Sequence, residues 1–227
     1  MKRRLPWFLL ACASSTATLA ATPTLLHAPG GSFTLHLTSL KEARYLNTIH
    51  QKYDFSCGSA AVATLLTYQY NYPVDEQTAF EQMYAHGDRE KIKREGFSLL
   101  DIKRFLQANG FDADGFDVPL DKLRRDRLPA IVLINEHGYH HFVVIKGLTD
   151  SRVLVGDPAK GTRSMPLSQF RQLWKSHLVF VIHNRRSLAI FNSEEDWRVA
   201  PSAPLSSVLN RSGLESLVMP RRGPGDI

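Results

Sequence analysis

The hydrophobic pattern of the chain changes period once, at Gly110, and that switch constrains the fold more than any other feature. Before it, apolar residues recur at helical spacing. In GFSLLDIKRFLQANG, Leu99, Ile102, Phe105 and Leu106 form one stripe, Ser98 and Asp101 make a capping-box-like pair, and Gly110 supplies a left-handed stop. After it come the short runs FDADGFDVP, AIVLINEHG, HHFVVIKGL, RVLVGDP and HLVFVIHN, divided by turn residues. PLSQFRQLW interrupts them as a short helix with Ser168 near its start. Helices first and hairpin-length strands afterwards predict an α+β domain, with N-terminal helices packed on an antiparallel β-sheet.

Other segments fill in that outline. QKYDFSCGSAAVATLLTY predicts a helix from about Cys57 to Tyr70, closed by Asn71-Tyr72-Pro73, and VDEQTAFEQMYAHG a second one with Asp75 as N-cap and Gly87 after its last turn. Upstream, residues 22–31 read as a linker into the strand SFTLHLTSL, in which Phe33, Leu35 and Leu37 share a face, and a short strand is expected near 44–49. From Phe191 the pattern fades into SEEDWRVAPSAPLSS and PRRGPGDI, the composition of a flexible tail. The expected organisation is 1–21, 22–48 as linker and strand, a folded domain at 49–190, and a tail at 191–227.

The first of these segments, MKRRLPWFLLACASSTATLAATP, has the basic start, apolar centre and small-residue end of a secretory signal peptide cleaved near Ala20 or Ala21, which implies a periplasmic protein. Leu9-Leu10-Ala11-Cys12 also offers a lipoprotein-like reading in which Cys12 would carry lipid. Removal of the signal takes Lys2, Arg3 and Arg4 with it, so the formal charge falls from +6 to +3 and the basic balance argues little for nucleic acid. The densest basic stretch, LDKLRRDRLP, is broken by Asp121 and Asp126 and lacks aromatic platforms, so it reads as a solvated helix face. No apolar run is long enough to cross a membrane once the signal is gone.

Signal removal also leaves Cys57 as the single cysteine, unable to form an internal disulfide in an oxidising compartment. It is either a small buried hydrophobe, paired with another molecule, or a thiol kept for its chemistry. At a helix N-terminus, free N–H groups and the macrodipole favour a thiolate, which predicts a lowered pKa, while Gly58, Ser59, Ala60 and Ala61 keep the first turn slim enough for a substrate. A nucleophile needs a base, and the base needs an orienting group. HHFVVIKG supplies His140 or His141, which point to opposite faces of a strand, and VLVGDPAKG supplies Asp157. Gln51, six residues before Cys57, offers an amide for an oxyanion.

Gln51-x5-Cys57-Gly58, His141-Phe142-Val143-Val144 and Asp157-Pro158-Ala159-x-Gly161 resemble, in order, the three signature blocks of the C39 cysteine peptidases, a papain-like family. The resemblance spans roughly residues 49–184. It implies a papain-like fold, with Cys57 as nucleophile, His141 as general base, Asp157 as the residue orienting it and Gln51 at the oxyanion hole, and no cofactor. Transporter-borne members carry Asp before the Cys-Gly pair, where this chain has Ser56, and are fused to an exporter absent from these residues. DFSCGSAAVATLL is more similar to stand-alone exported C39-like proteins of Gram-negative bacteria, including the component encoded with the functional amyloid (Fap) secretion system of pseudomonads. The implied partner is a secreted protein or peptide, amyloid-system components among them, and double-glycine specificity does not follow from the family alone.

Rival readings are a C39-like module that binds a peptide without cutting it, and a transglutaminase or acyltransferase using the same triad. His137, His140 and His141 cluster, but adjacent strand histidines cannot share one metal easily.

Overall fold

The computed structural model describes residues 24–28, 31–35 and 39–200 of the chain. The expected signal peptide, Cys12, Leu37 and the tail beyond residue 200 lie outside the described residues. Two units divide at Ser39 and Leu40. The first holds a hairpin of β1 (Thr24–Ala28) and β2 (Gly31–Leu35), with Thr24 opposite Leu35 and Ala28 opposite Gly31. TLLHA therefore pairs as a strand where the sequence reads as linker.

The second unit opens with α1 (Leu40–Arg44), in place of the strand expected near 44–49. Tyr45 and Leu46 bond back to Glu42 and Ala43 in turns, Leu46 is exposed, and Ile49 N–H is taken by Thr64 Oγ1, so no ladder forms. Next come α2 (Cys57–Thr64), which continues through a π-helical turn at Leu65–Gln69, α3 (Glu76–His86), α4 (Arg89–Glu95) and α5 (Leu99–Ala108). Asp75 caps α3 by accepting from Thr78 N–H at 2.7 Å, and Ser98 and Asp101 close the expected capping box on α5. The unforeseen α4 has its own signals, Asp88 capping Lys91 N–H and Gly96 at φ +80°.

The sheet follows: β3 (Ala113–Asp117), α6 (Leu120–Asp126), β4 (Ala130–Glu136), β5 (Tyr139–Leu148), β6 (Arg152–Asp157), β7 (Gly161–Pro166), α7 (Leu167–Leu173) and β8 (Leu178–Ile182). Its order is β3-β8-β4-β5-β6-β7 and every pairing is antiparallel. Strands β4 to β7 form a meander, and β8 returns to lie between β3 and β4. His137 and Gly138, both at positive φ, make the two-residue turn that joins β4 to β5.

Both faces of this sheet are buried, which is why β4 and β5 read as near-continuous apolar runs. On one face Ile131, Phe142, Val144 and Phe180 pack with Val62, Leu66, Ile102 and Phe105 from the helices. On the other, Val132, Val143, Ile145 and Val155 meet Leu123, Phe170 and Trp174. No helix among the described residues is long and apolar enough to cross a membrane.

Residues 191–200 do not behave as the start of a flexible tail. They carry α8 (Glu194–Val199), and Phe191 joins the second core cluster. Asn192 fills a bulge in β5: its N–H donates to Lys146 O, while its side chain accepts from Leu148 N–H and donates to Leu148 O. Behind it the Lys146 ammonium is paired with the buried Asp196. Polar composition hides this because the partners lie some fifty residues upstream.

Candidate active site

Cys57 is the first residue of α2 and faces β5. Ser56 stands at the N-cap without capping, its hydroxyl held by the Tyr53 backbone instead. The N–H groups of Phe142, Gly58 and Cys57 itself therefore favour the thiolate, as the helix-terminus argument expects. Burial outweighs them and pushes the Cys57 thiol up, so the expected lowering is corrected: desolvation of an almost enclosed sulfur exceeds what three backbone dipoles return. The small residues after it also have a different purpose. A Cβ on Gly58 would lie 2.8 Å from Phe97 Cβ, and Ser59, Ala60 and Ala61 are fully buried, so the slim turn serves helix packing rather than substrate access.

His141 and Asp157 come together at the ends of β5 and β6. His141 Nε2 lies 3.3 Å from Asp157 Oδ2, both side chains are buried, and Nδ1 is buried with no hydrogen-bond partner. His140 points the other way, into contact with Asn135 and the cavity beside Cys57. Among the backbone groups that favour the Cys57 thiolate is that of Phe142, the neighbour of His141 on β5. No hydrogen bond joins His141 to Cys57.

Asp157 is heavily held. Oδ1 accepts from the N–H groups of Ala159 and Lys160, and Oδ2 accepts from Arg163 Nε at 3.1 Å as well as from His141. Burial works against its ionisation, but these donors together bring its carboxyl below the usual aspartate range. Arg163 also reaches Glu136, to which Lys160 bonds at 2.7 Å. Among the described residues the one cluster of metal-ligating type is Glu136, His141 and Asp157, and those two cations already neutralise its carboxylates. His137 and His140 take no part in it.

Gln51 is tied to the same turn, its N–H donating to Pro158 O at 3.1 Å. Its Nε2 donates to Tyr53 O at 3.0 Å and more weakly to Asp54 O, and Oε1 is buried without a partner. The amide thus faces the loop before Cys57. Sequence reasoning missed Arg163 and Tyr139. Tyr139 had a readable signal, since residues two apart on a strand share a face and its ring stacks on His141 at 5.2 Å. Arg163 had none, because GTRSMP lacks strand alternation.

The model of the Peptidase C39 family matches residues 45–186. The chain belongs to the C39 peptidase family. Among its relatives within that family is the "Probable functional amyloid protease FapD" of Pseudomonas aeruginosa, 40% identical over 166 residues that make up 73% of each chain. The Pseudomonas fluorescens protein of the same name is 36% identical over 155 residues, 68% of each. The C39 peptidase domain of Streptococcus ComA has the same fold, with a TM-score of 0.50 at 18% identity, covering 60% of this chain and 97% of that domain. The fold is thus the papain-like α+β arrangement of C39 peptidases.

Proposed function

We propose that this chain is an exported cysteine endopeptidase that cuts a secreted protein of a functional amyloid system, with Cys57, His141 and Asp157 as its triad and Gln51 at the oxyanion hole. The observation that carries the reading is the state of His141: one ring nitrogen is fixed by Asp157 and the other is buried and unpartnered, on the strand whose next residue, Phe142, has a backbone that favours the Cys57 thiolate. A buried polar atom without a partner calls for a functional explanation. Membership of the C39 family and likeness to proteins named as amyloid proteases support this substrate class. The signal-like N-terminal sequence supports export to the periplasm.

In this mechanism the resting enzyme holds Cys57 as a thiol, as its burial dictates. Substrate binding brings sulfur and imidazole together, a tightening common to sites whose catalytic bonds are long when empty. Nδ1 takes the thiol proton as sulfur attacks the peptide carbonyl, and Asp157 supports the imidazolium through Nε2. The oxyanion is met by the Cys57 N–H and by the Gln51 hydrogen that holds only a 3.5 Å contact to Asp54 O. His141 then gives its proton to the leaving amine. Water, deprotonated by the same nitrogen, releases the acyl group and restores the thiol.

The test is to incubate the mature chain, and separately its Cys57→Ala form, with the secreted proteins of the same locus and to map new termini by mass spectrometry. Termini that depend on Cys57 are expected. Identical maps would favour the non-catalytic peptide-binding reading, to which the closed Cys57 and the missing Cys57–His141 bond lend weight. The N-terminus of protein recovered from periplasmic extract, expected near residue 21 or 22, checks export.

A further inference from the structure

Three of the residues assigned to catalysis are almost closed to solvent: Cys57 is 7% exposed, His141 2% and Gln51 9%. A cavity of about 380 Å³ reaches Cys57 between Phe97, Phe142, Leu133 and Leu178, yet neither His141 nor Gln51 lines it. The nucleophile is approachable from one side and barred on the other.

The bar is Tyr139. Its ring stacks on His141 at 5.2 Å and 29°, and its hydroxyl donates to Asp54 O at 2.8 Å, on the loop just before Cys57. Asp54 O is also the weaker acceptor of Gln51 Nε2. The phenol thus spans from the β5 wall of the cleft to the Gln51–Cys57 wall. Burial raises its pKa, so it stands neutral at physiological pH.

The chemistry says which side is barred. His141 must hand a proton to the leaving amine, so the segment that follows the scissile bond passes on the His141 side, where Tyr139 lies. We propose that Tyr139 is a crossbar over the leaving-group side of the cleft, which must leave the Asp54 carbonyl to admit substrate and which reads the size of the residue after the scissile bond. This rests on the peptidase reading. Tyr139 follows the tight His137-Gly138 turn, so the backbone at its base is fixed and opening is a rotation of the side chain. One neutral hydrogen bond is lost, and at 45% exposure the ring has solvent into which to swing.

Two electrophiles of different leaving-side bulk test this without a known substrate: methyl vinyl sulfone and phenyl vinyl sulfone. The Cys57 sulfur adds to the terminal vinyl carbon, the adjacent carbon takes a proton, and the sulfone is left on the His141 side. Adduct formation is followed by intact mass in the wild type, Tyr139→Phe and Tyr139→Ala, with each rate ratio referred to glutathione. Tyr139→Phe, which loses only the bond to Asp54, is expected to speed phenyl vinyl sulfone by about fivefold, the weight of one neutral hydrogen bond, and methyl vinyl sulfone by under about twofold. Tyr139→Ala is expected to bring the ratio to that of glutathione. An unchanged ratio in both variants overturns the crossbar, as does an equal gain for both reagents. A loss of peptide cleavage in Tyr139→Phe with no change in labelling would instead make the hydroxyl a donor to substrate and also overturn it. Unfolding midpoints matching the wild type show that each variant folds. Selective labelling without Cys57-dependent cleavage of any secreted protein would defeat the peptidase reading and leave the crossbar standing.

Discussion

His141 and Lys146 stand on one strand, β5, and each meets a buried aspartate from elsewhere in the chain, Asp157 for one and Asp196 for the other. At Lys146 the charges are closed off completely. The ammonium donates to Asn47 O at 2.7 Å and lies over the Tyr68 ring, while Asp196 also accepts from Gln69 and Ser193. Burial pulls the Lys146 ammonium toward losing its proton, and Asp196 resists that. At His141 the aspartate is just as firmly held, but one imidazole nitrogen is left over. The first pair fastens the 190–200 segment to the sheet; the second leaves unsatisfied the Nδ1 that the proposed mechanism uses to carry a proton.

The comparison breaks most directly with single substitutions at its two ends. His141→Ala should lower the rate of Cys57-dependent cleavage by about a thousandfold or more, the range for loss of a general acid–base, with a smaller loss in the urea midpoint than Lys146→Ala because Arg163 and two backbone N–H groups still hold Asp157. Lys146→Ala should do the reverse. It leaves Asp196 charged and buried, costing about 3–5 kcal/mol in urea unfolding, while cleavage per folded molecule holds within about twofold. If Lys146→Ala instead abolished cleavage at wild-type stability, the distinction between the pairs would be wrong.

The double variant Lys146→Met with Asp196→Leu sharpens it. With both charges gone nothing is left uncompensated, so the pair should unfold at higher urea than either single change. Asp157 adds a pH test. Its native pKa is depressed, so its ionised form stabilises the fold above the ordinary aspartate value of about 4, and that contribution is lost as pH falls through the lower native value. The stability margin of wild type over Asp157→Asn should therefore shrink between about pH 5 and pH 2. Arg163→Gln is expected to have the smallest effect. It removes one of several donors to Asp157 from a partly exposed position, and should slow cleavage by about threefold with His141 still in place.

Local signals were the legible part of this fold. The capping box at Ser98 and Asp101 and the left-handed Gly110 are written within a few residues, and they stand as expected. What depends on distant partners was not. β7 exists because β6 pairs with it, and residues 191–200 are ordered by Asn192 and Asp196 reaching back to β5. At the site, motif spacing brings out Cys57, His141, Asp157 and Gln51, and the structure sets His141 against Asp157. The electrostatics of Cys57 were misjudged because the helix terminus is visible in sequence and the depth of burial is not.

The family match ends at residue 186, and the clasp on β5 lies beyond it. A Cβ at Gly147 would strike Asn192 Oδ1, so the lysine, the bare glycine beside it, the amide and the acid work as one set divided between two distant stretches of chain. Losing one member of such a set strands the others. Without the 190–200 segment Lys146 would be a buried ammonium with no carboxylate to face, and with any side chain at 147 the Asn192 amide would lose its seat.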